Sequence, residues 1–258
     1  MLEGFFSRKK KKSGGHGSHW DAAVWEDNKE RPELKDIVME SAAKGKLVDT
    51  IDFVGGGFRG KLSVLKKEFG GLVVTTYVLD GPIGTSFPSI ESDIFYSAKI
   101  KEVEEWANEA EAQVTANFFD ASLSFFATDY PINEKKYQKG NNLKINISAL
   151  AYKLREGSLA GKDKFAEDFT SILPANIAFK DAGFDVDDYH VNGFVESLKK
   201  TSFAGHETYI VKAKVTKMGK VDFLIDIGVL KRNIEGAVPK KGDKITATIW
   251  LTGGISGE

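Results

Sequence analysis

The sequence predicts a mainly β protein with a few helices, built as two tandem small Greek-key barrels preceded by a helix and β-hairpin region. Three observations carry this. Runs of period-two alternation, rich in β-branched and aromatic residues, recur from residue 93 to the end. Two stretches of the chain, 113–154 and 209–253, share one plan. Matching turn chemistry, Lys139-Gly140-Asn141 and Lys241-Gly242-Asp243, stands at corresponding places in both.

The two stretches align step by step. Lys214-Val215-Thr216 lies over Gln113-Val114-Thr115, and the alternating run 221–227 over 121–127. After a polar connector and the Lys-Gly turn, Ile245-Thr246-Ala247-Thr248-Ile249 lies over Leu143-Lys144-Ile145-Asn146-Ile147. Upstream, 193–198 matches 98–103 in pattern. Each unit spans roughly 60 to 70 residues, longer than a solenoid period, so two copies suit a tandem repeat of small domains. Short strands in this order hide their edges best in a partly closed barrel. The pattern resembles an OB-type barrel at the level of fold, and no diagnostic motif extends that resemblance to an activity.

Five segments follow: a basic tail and flexible linker (1–19), an N-terminal helix plus β element (20–92), a first OB-like barrel (93–156), a helical and acidic linker (157–189), and a second OB-like barrel (190–258). The 258 residues suffice for about two domains. Eighteen phenylalanines can fill two small cores. The absence of cysteine favours a reducing compartment. No apolar run is long enough to cross a bilayer, and no signal-peptide h-region follows the N-terminal basic cluster. The expectation is a cytoplasmic protein without integral membrane association.

Net charge is −1, so the chain as a whole is no electrostatic nucleic-acid binder. The charge is unevenly placed. Residues 190–258 carry eleven basic and seven acidic side chains, while 93–156 carry eight and ten.

In the tail, Phe5 and Phe6 precede Arg8, Lys9 and Lys10, a segment suited to docking on an anionic surface or a partner. Trp20 and Trp25 open the best helical stretch, where they suit packing or partner contact. Pro32 fits a first helical turn, Leu34, Ile37 and Val38 follow at helical spacing, and Gly45 ends it. Gly55-Gly56-Gly57-Phe58-Arg59-Gly60-Lys61 fits G-x-x-x-x-G-K, but Leu62 stands where a phosphate loop needs Ser or Thr. A bulge or a close backbone approach suits these glycines better, and Glu68-Phe69-Gly70-Gly71 reads as a hairpin turn. A short helix is expected over 162–173, stopped by Pro174. Asp181, Asp185, Asp187 and Asp188 form an acidic cluster whose spacing is not that of an EF-hand.

No catalytic or metal motif is present, and neither cofactor nor enzymatic activity is predicted. The expected role is a non-catalytic adaptor or structural component that binds a protein partner, or joins a larger assembly, through its barrels. The alternative is single-stranded nucleic-acid binding by the basic second barrel. Its cations would be Lys212, Lys214, Lys217, Lys220, Lys231 and Arg232, with Tyr209, Phe223 and Trp250 as stacking platforms.

Overall fold

The structure, a computed structural model, describes residues 10–12, 19–24, 32–157, 170–178 and 183–256. It is mainly β with a few short helices, and its strands form two sheets. A short strand, β1 (Lys10–Lys12), opens the described chain. Two helices follow, α1 (Asp21–Val24) and α2 (Pro32–Lys44). Pro32 opens α2, where its missing N–H costs nothing. The Gly45 N–H closes it on the Ser41 carbonyl at 2.8 Å. Ile37 is buried, and the Ser41 hydroxyl donates to the Val74 carbonyl at 3.1 Å, so α2 is fixed on the sheet that follows.

That sheet is an antiparallel meander of β2 (Lys46–Gly55), β3 (Phe58–Phe69), β4 (Leu72–Leu79) and β5 (Ile83–Ser89). The glycine run makes a two-residue hairpin, not a phosphate cradle. Gly55 pairs with Phe58, and Gly56 and Gly57 take φ of +56° and +81°. A Cβ on Gly56 would stand 2.9 Å from the Asn108 carbonyl, so two backbones approach closely here. Phe69 pairs with Leu72 across Gly70 and Gly71, the expected hairpin.

The larger sheet begins with β6 (Phe95–Trp106), β7 (Ala112–Phe118) and β8 (Ala121–Ala127), an antiparallel meander. Helix α3 (Tyr130–Asn133) leads to the long β9 (Asn142–Glu156). After β10 (Ser171–Pro174) and α4 (Ala175–Ala178) come β11 (Asp188–Phe203), β12 (His206–Met218) and β13 (Val221–Leu230), a second meander. A 3₁₀ turn at Lys231–Asn233, β14 (Ile234–Glu235) and β15 (Lys244–Ile255) complete the chain. Of the helix expected over 162–173, residues 162–169 lie outside the described residues. Ser171–Leu173 belong to strand β10, because they find an open edge on β11.

The pairings close two circuits that share one pair. β9 and β15 run antiparallel over residues 145–156 and 245–255. In one circuit β9 pairs with β6, and β8 pairs in parallel with β15. In the other β15 pairs with β11, and β13 pairs in parallel with β9. The last long strand of each stretch therefore closes the other stretch's circuit as well as its own. The first strand of each circuit has an irregular register, between Ile100 and Glu102 in β6 and between Val195 and Ser197 in β11. At both places a Lys-Gly turn is held by the same pair of bonds. Gly140 N–H donates to the Ile100 carbonyl at 2.8 Å and Ile100 N–H to Asn141 at 2.9 Å. Gly242 N–H donates to the Val195 carbonyl at 2.8 Å and Val195 N–H to Asp243 at 3.0 Å.

One core fills the inside of both circuits and includes Phe118, Phe125, Tyr130, Tyr137 and Phe223. A second lies between the small sheet, α1 and α2 on one side and the outer face of the shared pair on the other. Here Tyr77, Phe87, Trp106, Phe126, Leu150 and Trp250 meet. Full burial of such a side chain stabilises the fold by about 1.5–3 kcal/mol. Among the described residues no helix is long and apolar enough to cross a membrane.

Candidate nucleic-acid interface

The cations predicted for nucleic-acid binding do not form one cluster. Lys231 and Arg232 sit in the 3₁₀ turn, at the end of β12 where Thr208 pairs with Leu230. Lys217 and Lys220 flank the opposite end, where Met218 pairs with Val221. A strand run from Thr208 to Met218 covers about 33 Å. Between them Lys212 lies 3.4 Å from Asp93 and Lys214 3.8 Å from Asp222, so both ammonium groups are already paired. The aromatic platforms are corrected outright. Tyr209, Phe223 and Trp250 are buried, because their alternation points them into the two cores.

Of the expected docking residues, the structure places only Lys10 and Trp20. Phe5, Phe6, Arg8, Lys9 and Trp25 lie outside the described residues. Lys10 begins β1, which pairs in parallel with β6 along Glu104–Trp106. Trp20 is buried, and its indole N–H donates to the Ser86 carbonyl at 2.9 Å, which makes it a packing residue.

Next to Trp20 lies a buried polar knot that ties the N-terminal segment to the shared strands. His19 stacks on Trp250 with ring centroids 4.5 Å apart, and its Nδ1 is 2.5 Å from the Tyr152 hydroxyl. Tyr152 donates to Asp188 at 2.8 Å, Gln113 donates to Asp187 Oδ1 at 2.5 Å and Trp250 to Asp187 Oδ2 at 3.0 Å. Burial, and then the charge of Asp188, push the Tyr152 hydroxyl far above its ordinary value, so it stays a donor. His19, Asp185 and Asp187 offer possible metal-ligand atoms within 4.8 Å of one another. Both Asp187 oxygens already accept hydrogen bonds, so the cluster reads as packing chemistry. Asp181 lies outside the described residues.

A different set of residues comes together where the two meanders meet. Phe95 at the start of β6 is 47 % exposed, and Phe119 in the β7–β8 turn is 52 % exposed. Tyr96, the residue after Phe95, is edge-on to Phe119 at 6.2 Å and stacked on Phe223 of β13 at 4.6 Å. Its hydroxyl donates to the Leu224 carbonyl at 3.2 Å and accepts from the Leu224 N–H at 2.8 Å. Burial raises the Tyr96 hydroxyl, and Asp222 and Asp226 raise it further against that backbone bond. Tyr96 thus anchors β6 to β13.

A cation stands against the Phe95 ring. Lys144 Nζ lies 3.5 Å from the centre of the Phe95 ring, a cation–π contact. Lys144 pairs in register with Ser97, and Phe95, Ser97 and Lys99 alternate onto one exposed face of β6. Neither Lys99 nor Lys144 has an ion-pair partner among the described residues. Lys217 and Lys220 flank the β12–β13 turn, next to the exposed Val221.

Phe119 carries the most informative detail. Phe118 pairs with Ala121, so Phe119 and Asp120 make a two-residue hairpin turn. Phe119 has φ of +54°. Such turns favour Asn, Asp or Gly there, and a left-handed conformation costs an ordinary residue about 1–2 kcal/mol. A bulky ring is held in a strained conformation and then left half in water. Sequence reasoning missed Phe95, Phe119, Lys99 and Lys144. The one available signal was the turn between two alternating runs, which reads Phe119-Asp120 where Asn-Gly is usual.

Comparisons with protein-family models, with curated proteins and with solved structures gave no match.

Proposed function

We propose that this protein binds single-stranded nucleic acid on the surface formed by Phe95, Phe119, Lys99 and Lys144, with Lys217 and Lys220 at its margin. The strained, half-exposed Phe119 carries the reading. Exposed rings beside unpaired ammonium groups are what a single strand needs, since bases stack on the rings while cations follow the phosphates. The reading is one of binding and not catalysis. Each circuit is read as an OB-like barrel, and the chain as two copies of one unit. The meander, parallel closure and matching Lys-Gly turn bonds support this, and small barrels of this kind host oligonucleotide sites.

The test is fluorescence anisotropy of a short labelled oligonucleotide, single- and double-stranded. Four lysines on phosphates give a salt slope near −2.8, so affinity for the single strand falls about fifty-fold between about 50 and 200 mM salt. The double replacement Lys99→Gln/Lys144→Gln halves that slope. No binding at low salt, or equal binding of the duplex, sinks the proposal. The same rings would then be the place to seek the protein partner expected of an adaptor.

A further inference from the structure

A second polar site lies on the outer face of the shared β9–β15 pair, flanked by β11 and β14. Its residues come from outward positions of adjacent strands. Thr246 of β15 pairs in register with Arg155 of β9, and Thr248 with Lys153. His190 of β11 pairs with Thr248. Together with Glu235 of β14 they line a cleft of about 140 Å³. The Thr246 hydroxyl donates to the Val191 carbonyl at 3.2 Å, and stands 3.1 Å from His190 Nε2. That leaves its oxygen to accept from the imidazole. Lys153 is paired with Glu235 at 2.5 Å, whereas Arg155 has no ion-pair partner among the described residues. The cleft therefore holds one uncompensated guanidinium beside a buried imidazole and two hydroxyls.

One row further along the same face stands Phe194. It pairs in register with Lys214 on one side and Lys244 on the other. Their ammonium groups lie 6.0 and 5.7 Å from its ring centre. Lys244 and Thr246 are two residues apart on β15, so the ring and the cleft are separated by about 7 Å. That separation suits a phosphate joined through one sugar to one base.

We propose that this face binds a nucleotide carrying a terminal 5′-phosphate, with Arg155 on the phosphate and Phe194 under the base. A phosphate monoester carries about −1.5 to −2 charge near neutral pH, and a guanidinium fork matches its oxygens two at a time. An inner phosphodiester offers less charge and fewer free oxygens, so the site selects an end over the middle of a strand. The ligand is either a free nucleoside 5′-phosphate or the phosphorylated 5′ end of a single strand. Only the second source rests on the nucleic-acid reading above.

The experiment is calorimetric titration of the full chain with a nucleoside, the nucleoside 5′-monophosphate, and one short oligonucleotide bearing either a 5′-phosphate or a 5′-hydroxyl. The monophosphate is expected to bind at least about ten-fold more tightly than the nucleoside, and Arg155→Gln to remove at least about ten-fold of that affinity. Phe194→Ala weakens base-bearing ligands and leaves the response to inorganic phosphate unchanged. An unaltered thermal midpoint in each variant separates binding from folding, and Lys244→Gln serves as a milder second variant. A preference for the phosphorylated oligonucleotide over the free monophosphate identifies the strand end, and the reverse identifies the mononucleotide. Equal affinity for nucleoside and monophosphate overturns the proposal, as does an Arg155→Gln variant that binds both as the parent does. Phe119→Asn leaves the nucleoside and monophosphate titrations unmoved, so failure here and failure at the other surface are told apart.

Discussion

Replacing Phe119 with Asn separates a ring kept for binding from a ring kept for folding. The left-handed backbone at φ +54° costs Phe about 1–2 kcal/mol, and Asn visits it readily. Against that relief stands lost packing. The ring is about half exposed, so its burial contributes about 1 kcal/mol, half of what a fully buried Phe gives. Its edge contact with Tyr96 adds about 0.5–1 kcal/mol. The two sides nearly cancel, and the urea midpoint of Phe119→Asn should correspond to a change within about 1 kcal/mol. Loss of a stacking platform costs about 1–3 kcal/mol per base, or about 5- to 150-fold in affinity. The paired assay is urea unfolding plus oligonucleotide anisotropy at one salt concentration. A variant that binds like the parent refutes the reasoning. So does a loss of stability beyond about 3 kcal/mol, which would make Phe119 a core residue that the exposure misrepresents.

Two further outcomes can be checked on stability alone. Burial first, and then the charge of Arg155, hold the His190 imidazole below its ordinary value of 6.5. The unfolded chain therefore takes up a proton that the folded one refuses. Stability from this group is complete above about pH 6.5 and is lost as pH falls through that value. His190→Gln should flatten the fall in melting temperature between about pH 7 and pH 5, and an unchanged slope would show the imidazole to titrate freely. Gly70→Ala and Gly57→Ala both force an alanine into a left-handed turn, costing about 1–2 kcal/mol. At Gly57 the space is open, but at Gly70 the new Cβ would collide with the Ser202 carbonyl. Chemical denaturation should show Gly70→Ala to be the worse by more than about 1 kcal/mol, and equal losses would mean the hairpin is not seated on β11.

How much of this was legible in the sequence depends on whether a feature is local. The helix from Pro32, its Gly45 stop, and the hairpin at Gly70-Gly71 follow from φ preferences and missing N–H groups, so they can be read from neighbouring residues, as can the close backbone approach at Gly56, though not the hairpin it sits in. The alternation of 121–127 and 221–227 likewise fixes strands and their inner faces. Alternation says which face is buried and nothing about which strand lies alongside. Ile245 to Ile249 would read the same whether β15 closed its own circuit or its neighbour's. The shared β9–β15 pair is for that reason invisible until the register is seen.

The same limit explains the site. Tyr209 and Phe223 share the parity of their inward-facing neighbours, so alternation alone should have placed them inward, whereas Trp250 shares the outward parity of Thr246 and Thr248 and is buried by the small sheet's core. The composition of 190–258 drew attention to its cations, but charge that is answered by Asp93 and Asp222 leaves Lys212 and Lys214 with little to offer a ligand. What matters is charge left unanswered, and that is a property of three-dimensional neighbours. Lys144 and Lys99 come from the more acidic stretch, 93–156, and Arg155 from its last strand, yet each stands without an ion-pair partner among the described residues. Since β9 serves both circuits, it carries Lys144 to the aromatic surface at one end and Arg155 to the cleft at the other. The strand that fuses the two circuits is thus also the element that supplies a cation to each proposed site. A net charge counted by segment averages over that placement.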